Sequence, residues 1–260
     1  MSVITLTTDL GTRDHYVGAL KGTLLSLVPG ATLVDITHEV SPFNTMEAAF
    51  IARGACFKFP AGTVHIIGVD PEGGSRTGIV AMEMEGHYFV APDNGVLSLV
   101  KSEAEADWVQ VNLDSLPLNI SGRAFLVQNR MAPVAAALAQ GKGLGDIGER
   151  AAVREYRWGA PTFSENSLRG LILHVDHFGN AITNIHKDEF LSLKGDKSFQ
   201  IFIRKLRMQR IVGSYADVGK GDALALFGDN GHLEIAIREG SAAQLLGLKA
   251  QDMITIEFYG

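Results

Sequence analysis

Acidic side chains follow the first apolar stretch of the sequence, where they could bind a hydroxylated ligand. Asp9 comes directly after the run Val3–Thr8, and Asp14 lies further on, near the start of a predicted helix. A carboxylate in either position could accept two hydrogen bonds from a vicinal diol such as that of ribose. The same spacing suits a helix cap at Asp14 and a turn held by Asp9. Both interpretations stay open from these residues alone.

A further acidic side chain, Asp70, follows the apolar run at residues 63–69 and has a basic side chain six residues away. Arg76 is separated from it by a glycine-rich loop, which allows the carboxylate and the guanidinium to meet. Such a pair keeps the carboxylate ionised and oriented, so that it can hold a water molecule against an electrophile. A structural ion pair that fixes the loop would have the same spacing.

The segment from Asp176 to Asn180 combines polar side chains with an aromatic ring in the second half of the chain. Asp176 and Asn180 offer hydrogen-bond acceptors and donors, and Phe178 offers a ring face to a flat heterocycle. An ordinary Asx turn has the same composition. His177 is predicted to be exposed or to satisfy a core contact rather than to act in catalysis.

The elements that would position these residues alternate between strand and helix in the first half. Apolar periodicity predicts strands at 3–8, 32–36, 63–69, 78–84 and 87–90, and helices at 14–27, 45–57 and 131–140. Asn44 is expected to cap the second helix. This alternation predicts an α/β fold, with a Rossmann-like N-terminal domain whose sheet is mostly parallel and is covered on both faces.

The second half of the chain is dominated by strand patterns. They predict strands at 170–175, 198–203, 210–212, 222–227, 233–237 and 253–258, with short helices near 187–193 and 241–246. Short strands at this spacing are typical of a small β-barrel or sandwich. The composition changes at residues 151–166, which are the predicted linker. We therefore expect an N-terminal domain at 1–155 and a C-terminal domain at 165–260.

Bulk composition narrows the possible partners of the 260-residue chain. Its formal charge of −6 gives no electrostatic reason to expect nucleic acid or an anionic membrane as a partner. The single cysteine, Cys56, excludes an intramolecular disulfide, and its apolar surroundings predict a buried thiol. The histidines are scattered without ligand spacing, so no metal site is expected. No apolar stretch approaches the roughly 18–20 residues that span a bilayer, and the protein is predicted to be cytoplasmic.

Taken in order, the motifs resemble one enzyme family along nearly the whole chain. The similarity is carried by Thr8-Asp9-Leu10-Gly11 with Asp14, Asp35-Ile36-Thr37-His38-Glu39-Val40, Val69-Asp70-Pro71, Ala91-Pro92-Asp93-Asn94-Gly95, Asp176 with Phe178-Gly179-Asn180, and Leu233-Glu234-Ile235-Ala236 with Gly240-Ser241. In these motifs the chain is similar to the S-adenosylmethionine (SAM) hydroxide adenosyltransferase family. That family includes SAM hydrolases and is related to the SAM-dependent fluorinase and chlorinase.

The resemblance implies a fold, an assembly and a substrate. The fold is an N-terminal α/β domain followed by a C-terminal β-barrel. The assembly is a homotrimer that binds SAM, without a cofactor, between the N-terminal domain of one subunit and the C-terminal domain of its neighbour. Asp9 would bind the ribose hydroxyls, while Asp14 and Asp176 would hold the methionine end. The other implied substrate contacts are Phe43, Asn94, Phe125, Phe178, Asn180, Tyr215, Ile237 and Glu239.

The residue at position 70 indicates which nucleophile attacks the substrate. The halogenases have tyrosine there, whereas the hydrolases have an aspartate partnered by an arginine and a histidine. Because a carboxylate accepts a hydrogen bond from water but repels halide, Asp70 and Arg76 are the expected catalytic residues. Water would displace methionine from ribose C5′ and release adenosine. Leu126 stands at the histidine position. Two alternatives therefore stay open: SAM or adenosine binding without catalysis, and attack by another nucleophile such as halide.

Overall fold

The computed structural model describes residues 2–71, 78–101, 103–116 and 125–260. It divides into two units, of which the first ends at Trp158 and the second runs from Gly159 to Gly260. Part of the predicted linker packs against the first unit. The Tyr156 amide donates to Ser98 Oγ at 2.7 Å, and Trp158 Nε1 donates to the carbonyl of Leu99 at 2.8 Å. Residues up to Trp158 thus belong to the first unit.

The first unit is built on one mixed sheet. Its strands, in the spatial order β2-β1-β3-β5-β4-β6-β7, are β1 (Val3–Thr8), β2 (Thr32–Thr37), β3 (Val64–Gly68), β4 (Ile79–Met84), β5 (His87–Pro92), β6 (Asp107–Val111) and β7 (Gly148–Glu149). The pairs formed by β2, β1, β3 and β5 are parallel, whereas β5-β4, β4-β6 and β6-β7 are antiparallel.

The prediction of a mostly parallel sheet is therefore wrong, and a tight turn explains why. Glu85 and Gly86 join β4 to β5 with φ angles of 53° and 76°. A two-residue turn with positive φ at both positions is a hairpin turn, which forces antiparallel pairing. The Rossmann-like arrangement stays a prediction.

Helices cover both faces of this sheet. They are α1 (Tyr16–Leu27), α2 (Thr45–Ala55), α3 (Val96–Lys101), α4 (Ala132–Ala139) and α5 (Leu144–Ile147). One apolar cluster joins Ile4 and Leu6 of β1 to α1 and α4, and another joins Ile67 and Val69 to α2 and α3. The Asn44 side chain accepts the Glu47 amide at the start of α2, which confirms the predicted cap. In the part of the chain that the structure describes, no helix is both long and apolar enough to cross a membrane.

Two further expectations for the first unit have opposite outcomes. Cys56 is buried, and burial raises the pKa of its thiol to about 12, which confirms the buried thiol. Helix α1 begins at Tyr16, and the residue at its cap position is His15, which makes no side-chain capping bond. Asp14 is exposed and does not cap this helix, so the capping interpretation is wrong.

The second unit is a nearly closed, barrel-like antiparallel sheet. Its strands are β8 (Thr162–Ser164), β9 (Ser167–Val175), β10 (Ala181–His186), β11 (Ser198–Ile203), β12 (Leu206–Met208), β13 (Ala223–Phe227), β14 (His232–Ile237) and β15 (Met253–Tyr259), with helices α6 (Lys187–Lys194) and α7 (Ala242–Leu246). The order is β12-β11-β15-β9-β10-β14-β13, with β8 beside β9. Beyond β12, the Val212 amide donates to the carbonyl of Ala225 in β13 at 2.9 Å. This contact brings the two ends of the strand order together.

Sequence periodicity misplaces β12 and misses β10 and the short strand β8 in this unit. The predicted strand at 210–212 is irregular, and the strand lies slightly earlier, in β12. Strand β10 was not predicted because Thr183 and Asn184 interrupt its apolar alternation. Both are buried. The Asn184 side chain accepts the Leu171 amide and donates to the carbonyl of Gly159, each at 2.7 Å, so its polar groups are satisfied inside the barrel.

Candidate functional site

The carboxyl ends of β1 and β3 bring two predicted site residues together. The strands are parallel neighbours, with Thr8 opposite Gly68, so Asp9 and Asp70 leave the sheet side by side. Asp9 Oδ2 accepts hydrogen bonds from the amides of Phe43, at 2.9 Å, and of Asp70, at 3.3 Å. Among the described residues, none donates to Asp9 Oδ1. One oxygen thus fixes the loops, and no described residue occupies the other.

A cavity of about 340 Å³ opens beside this carboxylate pair. Its lining residues are Asp9, Leu10, Tyr16, Leu20, Pro42, Phe43, Asp70, Pro71, Phe125, Leu126, Val127 and Gln128. The rings of Tyr16 and Phe125 stack, with their centroids 5.1 Å apart. Apolar walls with a few convergent polar groups are typical of a small-molecule site. The two carboxylates favour a ligand that carries positive charge or hydroxyl groups.

The electrostatics of this cavity make Asp70 a stronger base than an ordinary aspartate. Burial raises the pKa of the Asp70 carboxyl, and the neighbouring Asp9 charge raises it further. A carboxylate with a raised pKa accepts a proton more readily. Arg76, the predicted partner of Asp70, lies outside the described residues, so their ion pair stays a prediction.

The backbone is strained around the cavity. Among the described non-glycine residues with positive φ are Phe43 (66°), Asp70 (46°) and Phe125 (55°), and all of them line it. The left-handed region is unfavourable for side chains with a Cβ, and such strain collects at functional sites. The amides that Asp9 Oδ2 binds are those of Phe43 and Asp70. The same carboxylate oxygen therefore stabilises two strained residues.

Part of the cavity wall comes from a π-helical turn, Val127–Met131, which leads into α4. Val127 packs against the end of β3, where a Cβ on Gly68 would lie 2.8 Å from its methyl carbons. Only glycine allows this approach without displacement. Leu126, just before the turn, lines the same cavity as Asp70. The position that the resemblance equates with the hydrolases' histidine thus lines the cavity of the predicted base.

The second unit has a larger cavity, of about 690 Å³. Its lining residues are Asp176, Phe178, Asn180, Tyr215, Ala216, Ile237, Arg238, Glu239 and Gly240. Asp176 accepts the Asn180 amide at 2.8 Å and the Asn180 side chain at 3.0 Å. The Asp176 side chain thus closes the turn that carries Phe178, but through the amide four residues on and not two, as in an Asx turn. The segment also lines the cavity. Phe178 projects from this turn with 73% of its surface exposed, as expected of a ring that is free to stack on a ligand.

Glu234 lies behind this cavity and was not predicted as a site residue. Its Oε2 accepts a hydrogen bond from the Tyr215 hydroxyl at 2.8 Å, although its side chain is buried. Burial raises the pKa of Glu234, as do the charges of Asp176 and Asp229, against the Tyr215 hydrogen bond. Burial and Glu234 together raise the pKa of Tyr215. Glu234 belongs to a motif that carries the family resemblance, but its ordinary strand position does not indicate a role at the site.

The cavities contain most of the predicted residues, divided between the two units. The first is lined by Asp9, Phe43, Asp70 and Phe125, and the second by Asp176, Phe178, Asn180, Tyr215, Ile237 and Glu239. Of the predicted residues that the structure describes, two line neither cavity. Asp14 is exposed. Asn94 is buried and donates to the carbonyls of Val69, at 2.9 Å, and of Asp70, at 3.3 Å, so it supports the end of β3.

Comparison with known proteins places this geometry in a family. Residues 4–148 match the SAM hydroxide adenosyltransferase N-terminal domain, and residues 170–255 match the C-terminal domain. An (R)-S-adenosyl-L-methionine hydrolase of Methanocaldococcus jannaschii is 32% identical over 98% of this chain and 96% of its own. A fluorinase of Actinoplanes sp. is 30% identical over 98% and 97%. The crystal structure of an uncharacterized conserved protein from Thermotoga maritima has a TM-score of 0.87 and 32% identity, covering 98% of this chain and 99% of that one.

Proposed function

The chain belongs to the SAM hydroxide adenosyltransferase family, and from this premise we propose that it hydrolyses SAM to adenosine and L-methionine. Relatives named (R)-S-adenosyl-L-methionine hydrolase support both the substrate and the reaction. The observation that carries the proposal to individual residues is the Asp70 carboxylate, with its raised pKa, beside Asp9 in an apolar cavity. Because the relatives' name specifies one epimer at sulfur, the (R) form is the proposed substrate.

In the proposed reaction, Asp70 activates the attacking water. The sulfonium is already a good leaving group, so displacement at C5′ needs no general acid. It needs a water molecule held in line with the departing sulfur and partly desolvated. As the new C–O bond forms, the C–S bond breaks with its electron pair going to sulfur, and Asp70 takes the proton. General-base assistance of this kind is worth roughly 10²- to 10⁴-fold in rate.

Substrate binding is assigned to both cavities. In the first, Asp9 Oδ1 would accept the ribose hydroxyls, Phe43 would pack on the sugar, and the two carboxylates would attract the sulfonium. In the second, the Asp176 carboxylate would bind the methionine ammonium. The second cavity also offers rings for the adenine face and polar groups for its edge, namely Phe178, Tyr215, Asn180, Ile237 and Glu239.

A homotrimer is part of the proposal. Each cavity carries only part of the predicted set of contacts, which supports a ligand bound by the first cavity of one subunit and the second cavity of a neighbouring subunit. Cytoplasmic location and the roles of Asp14 and Arg76 also stay predictions.

Two other functions compete with hydrolysis, each on a specific observation. The fluorinase relatives favour halide as the nucleophile, but the Asp9 and Asp70 carboxylates oppose the entry of an anion. Leu126 favours a protein that binds SAM without catalysis. By the resemblance, the hydrolases have at this position the histidine that partners their catalytic aspartate. Asp70 remains in place, so a slower enzyme is the better account.

Chromatography of incubations with purified protein separates these functions. The (R) and (S) epimers of SAM are incubated separately, with and without chloride or fluoride. Equal amounts of adenosine and methionine from the (R) epimer, independent of halide, support hydrolysis. A 5′-halogenated adenosine would indicate halide transfer. Tight SAM binding by calorimetry without any product would indicate a binding protein.

The Asp70→Asn variant tests the proposed base, because it removes the charge and keeps the shape of the side chain. We expect kcat to fall by about 10²- to 10⁴-fold. Asp107→Asn is the matched control, since Asp107 lies on the same sheet, exposed, and pairs with Arg150. Unchanged turnover in Asp70→Asn would show that this carboxylate is not the base.

A further inference from the structure

Four side chains connect the surface of the first unit to the turn at Asp9, and the proposed reaction uses none of them. Thr8 Oγ1 and His38 Nδ1 are 2.7 Å apart, and His38 Nε2 lies 3.1 Å from Asp35 Oδ1. Asp35 Oδ2 accepts a hydrogen bond from Lys21 Nζ. Thr8 and His38 are buried, whereas Asp35 and Lys21 are partly exposed. A hydroxyl, an imidazole and a carboxylate in this order are the components of a nucleophilic triad.

The location of Thr8 excludes it as a nucleophile. Its side chain is 0% exposed, and it is not among the residues that line the two cavities. Its Oγ1 also accepts the Leu10 amide at 3.3 Å. Because a nucleophile must reach the substrate, the arrangement has another purpose.

The contacts of His38 indicate where its ring hydrogen lies. His38 Nε2 is 3.1 Å from Asp35 Oδ1, but the ring is poorly aligned for a hydrogen bond to it, so Asp35 acts on the ring through its charge. That charge favours a hydrogen on Nε2, which leaves Nδ1 to accept the Thr8 hydroxyl. Burial raises the pKa of Asp35, but its contacts with Lys21 and His38 outweigh this effect and lower the pKa overall. Asp35 therefore stays ionised and keeps the His38 ring oriented.

The backbone contacts show which segment this arrangement holds. The Gly11 amide donates to the carbonyl of His38 at 2.7 Å, and the Val40 amide donates to the carbonyl of Thr8 at 3.3 Å. Asp9 lies between Thr8 and Gly11, so its backbone is held on both sides by the loop after β2. The Thr8–His38 contact adds a side-chain connection at the point where Asp9 leaves β1.

We propose that Asp35 and His38 are positioning residues for Asp9: through the Thr8 hydroxyl they fix the turn from which the Asp9 carboxylate reaches the substrate. The inference rests on the proposed function, in which Asp9 binds the ribose hydroxyls. It explains why a buried hydroxyl and a buried imidazole, next to a partly exposed carboxylate, lie beside a cavity that they do not enter.

The kinetic test uses Asp35→Asn. Asp9 would bind substrate and transition state alike, so the variant should raise KM for SAM about tenfold, the value of one hydrogen bond, with kcat changed less than about threefold. In a Thr8→Val background, Asp35→Asn should have no further effect on KM, because both act through the same hydroxyl. Asp107→Asn is the control that should leave KM unchanged. Additive effects of Asp35→Asn and Thr8→Val would overturn the inference.

Two measurements keep this test separate from the proposed function. Nitrogen NMR of the histidine rings should show the Nε2–H tautomer for His38 in the wild type and a mixture in Asp35→Asn. Calorimetry should show the Kd for adenosine raised about tenfold in the variant. Absence of products from SAM in the wild type would refute hydrolysis, while the adenosine Kd would still decide the inference. An unchanged Kd and KM overturn it whatever the NMR signals show. If Asp35→Asn does not fold, Lys21→Met should raise the same Kd about threefold, and an unchanged Kd in it overturns the inference.

Discussion

Replacing His65 with glutamine removes a titrating group from the interior of the first unit. We expect the free energy of unfolding to fall less in acid in this variant than in the wild type. His65 is 0% exposed on β3, where Nδ1 lies 2.7 Å from Thr5 Oγ1 and Nε2 lies 3.1 Å from His87 Nδ1. Its ring stacks on Phe89 at 4.8 Å. Burial, with a smaller contribution from His87, lowers the pKa of His65 to about 3.

The size of the effect follows from the difference between the folded and unfolded pKa. In the unfolded chain His65 titrates near its ordinary value of 6.5. Above pH 6.5 both states are neutral and the group has no effect. As the pH falls from 6.5 toward 3, the unfolded state binds a proton that the folded state does not, so stability decreases. At pH 4.5, about two units below the unfolded pKa, the loss is about 2.7 kcal/mol.

Urea unfolding of the wild type and of His65→Gln at pH 7 and pH 4.5 measures this loss. Glutamine can accept from Thr5 and donate toward His87 but cannot titrate. We expect the free energy of unfolding to fall between these pH values by about 2–3 kcal/mol less in the variant than in the wild type. His177→Gln, at an exposed position, should behave like the wild type. Parallel losses in the wild type and His65→Gln would refute the argument that His65 is buried neutral.

Three predictions concern the site itself. Arg76→Ala should raise the pKa of Asp70 by removing a positive charge, which shifts the acid limb of kcat/KM to higher pH; an unmoved limb in the pH–rate profile contradicts the pair. Asp9→Ala and Asp176→Ala should each weaken SAM binding, and at SAM concentrations well below their KM, mixing the two should restore about a quarter of wild-type turnover if each site combines two subunits of a ring; no recovery after subunit exchange contradicts the shared site. Leu126→His should raise kcat about tenfold or more by adding a polar group beside Asp70, whereas Leu126→Met should not; equal turnover in both variants would show that this position does not aid the base.

Sequence periodicity predicted those elements of the first unit that have one apolar face. Strand β1 and helix α1 were predicted nearly to the residue, because the apolar side of each contrasts with its other side. Helix α3 was missed for the opposite reason. Nearly all of its residues, from Val96 to Val100, are buried. A six-residue apolar run has neither an amphipathic pattern nor the length that made the equally buried α4 predictable.

The candidate site was predictable in residue type but not in geometry. Acidic residues after β1 and β3 indicated a ligand site, since ligands bind at the carboxyl ends of parallel strands. The sequence does not contain the spatial order, in which β1 lies between β2 and β3 and brings Asp9 next to Asp70. Nor could it indicate the positive φ of Phe43 and Phe125, because aromatic residues rarely adopt that conformation and long-range contacts impose it.

The adjacent carboxylates of Asp9 and Asp70 have opposite consequences for substrate and product. Without ligand their mutual repulsion contributes to the raised pKa of Asp70. A sulfonium bound beside them would relieve this repulsion, which favours SAM over uncharged analogues. In the proposed reaction the positive charge on sulfur disappears when the C–S bond breaks, and the attraction disappears with it. The charge arrangement that favours substrate binding therefore also favours the release of methionine.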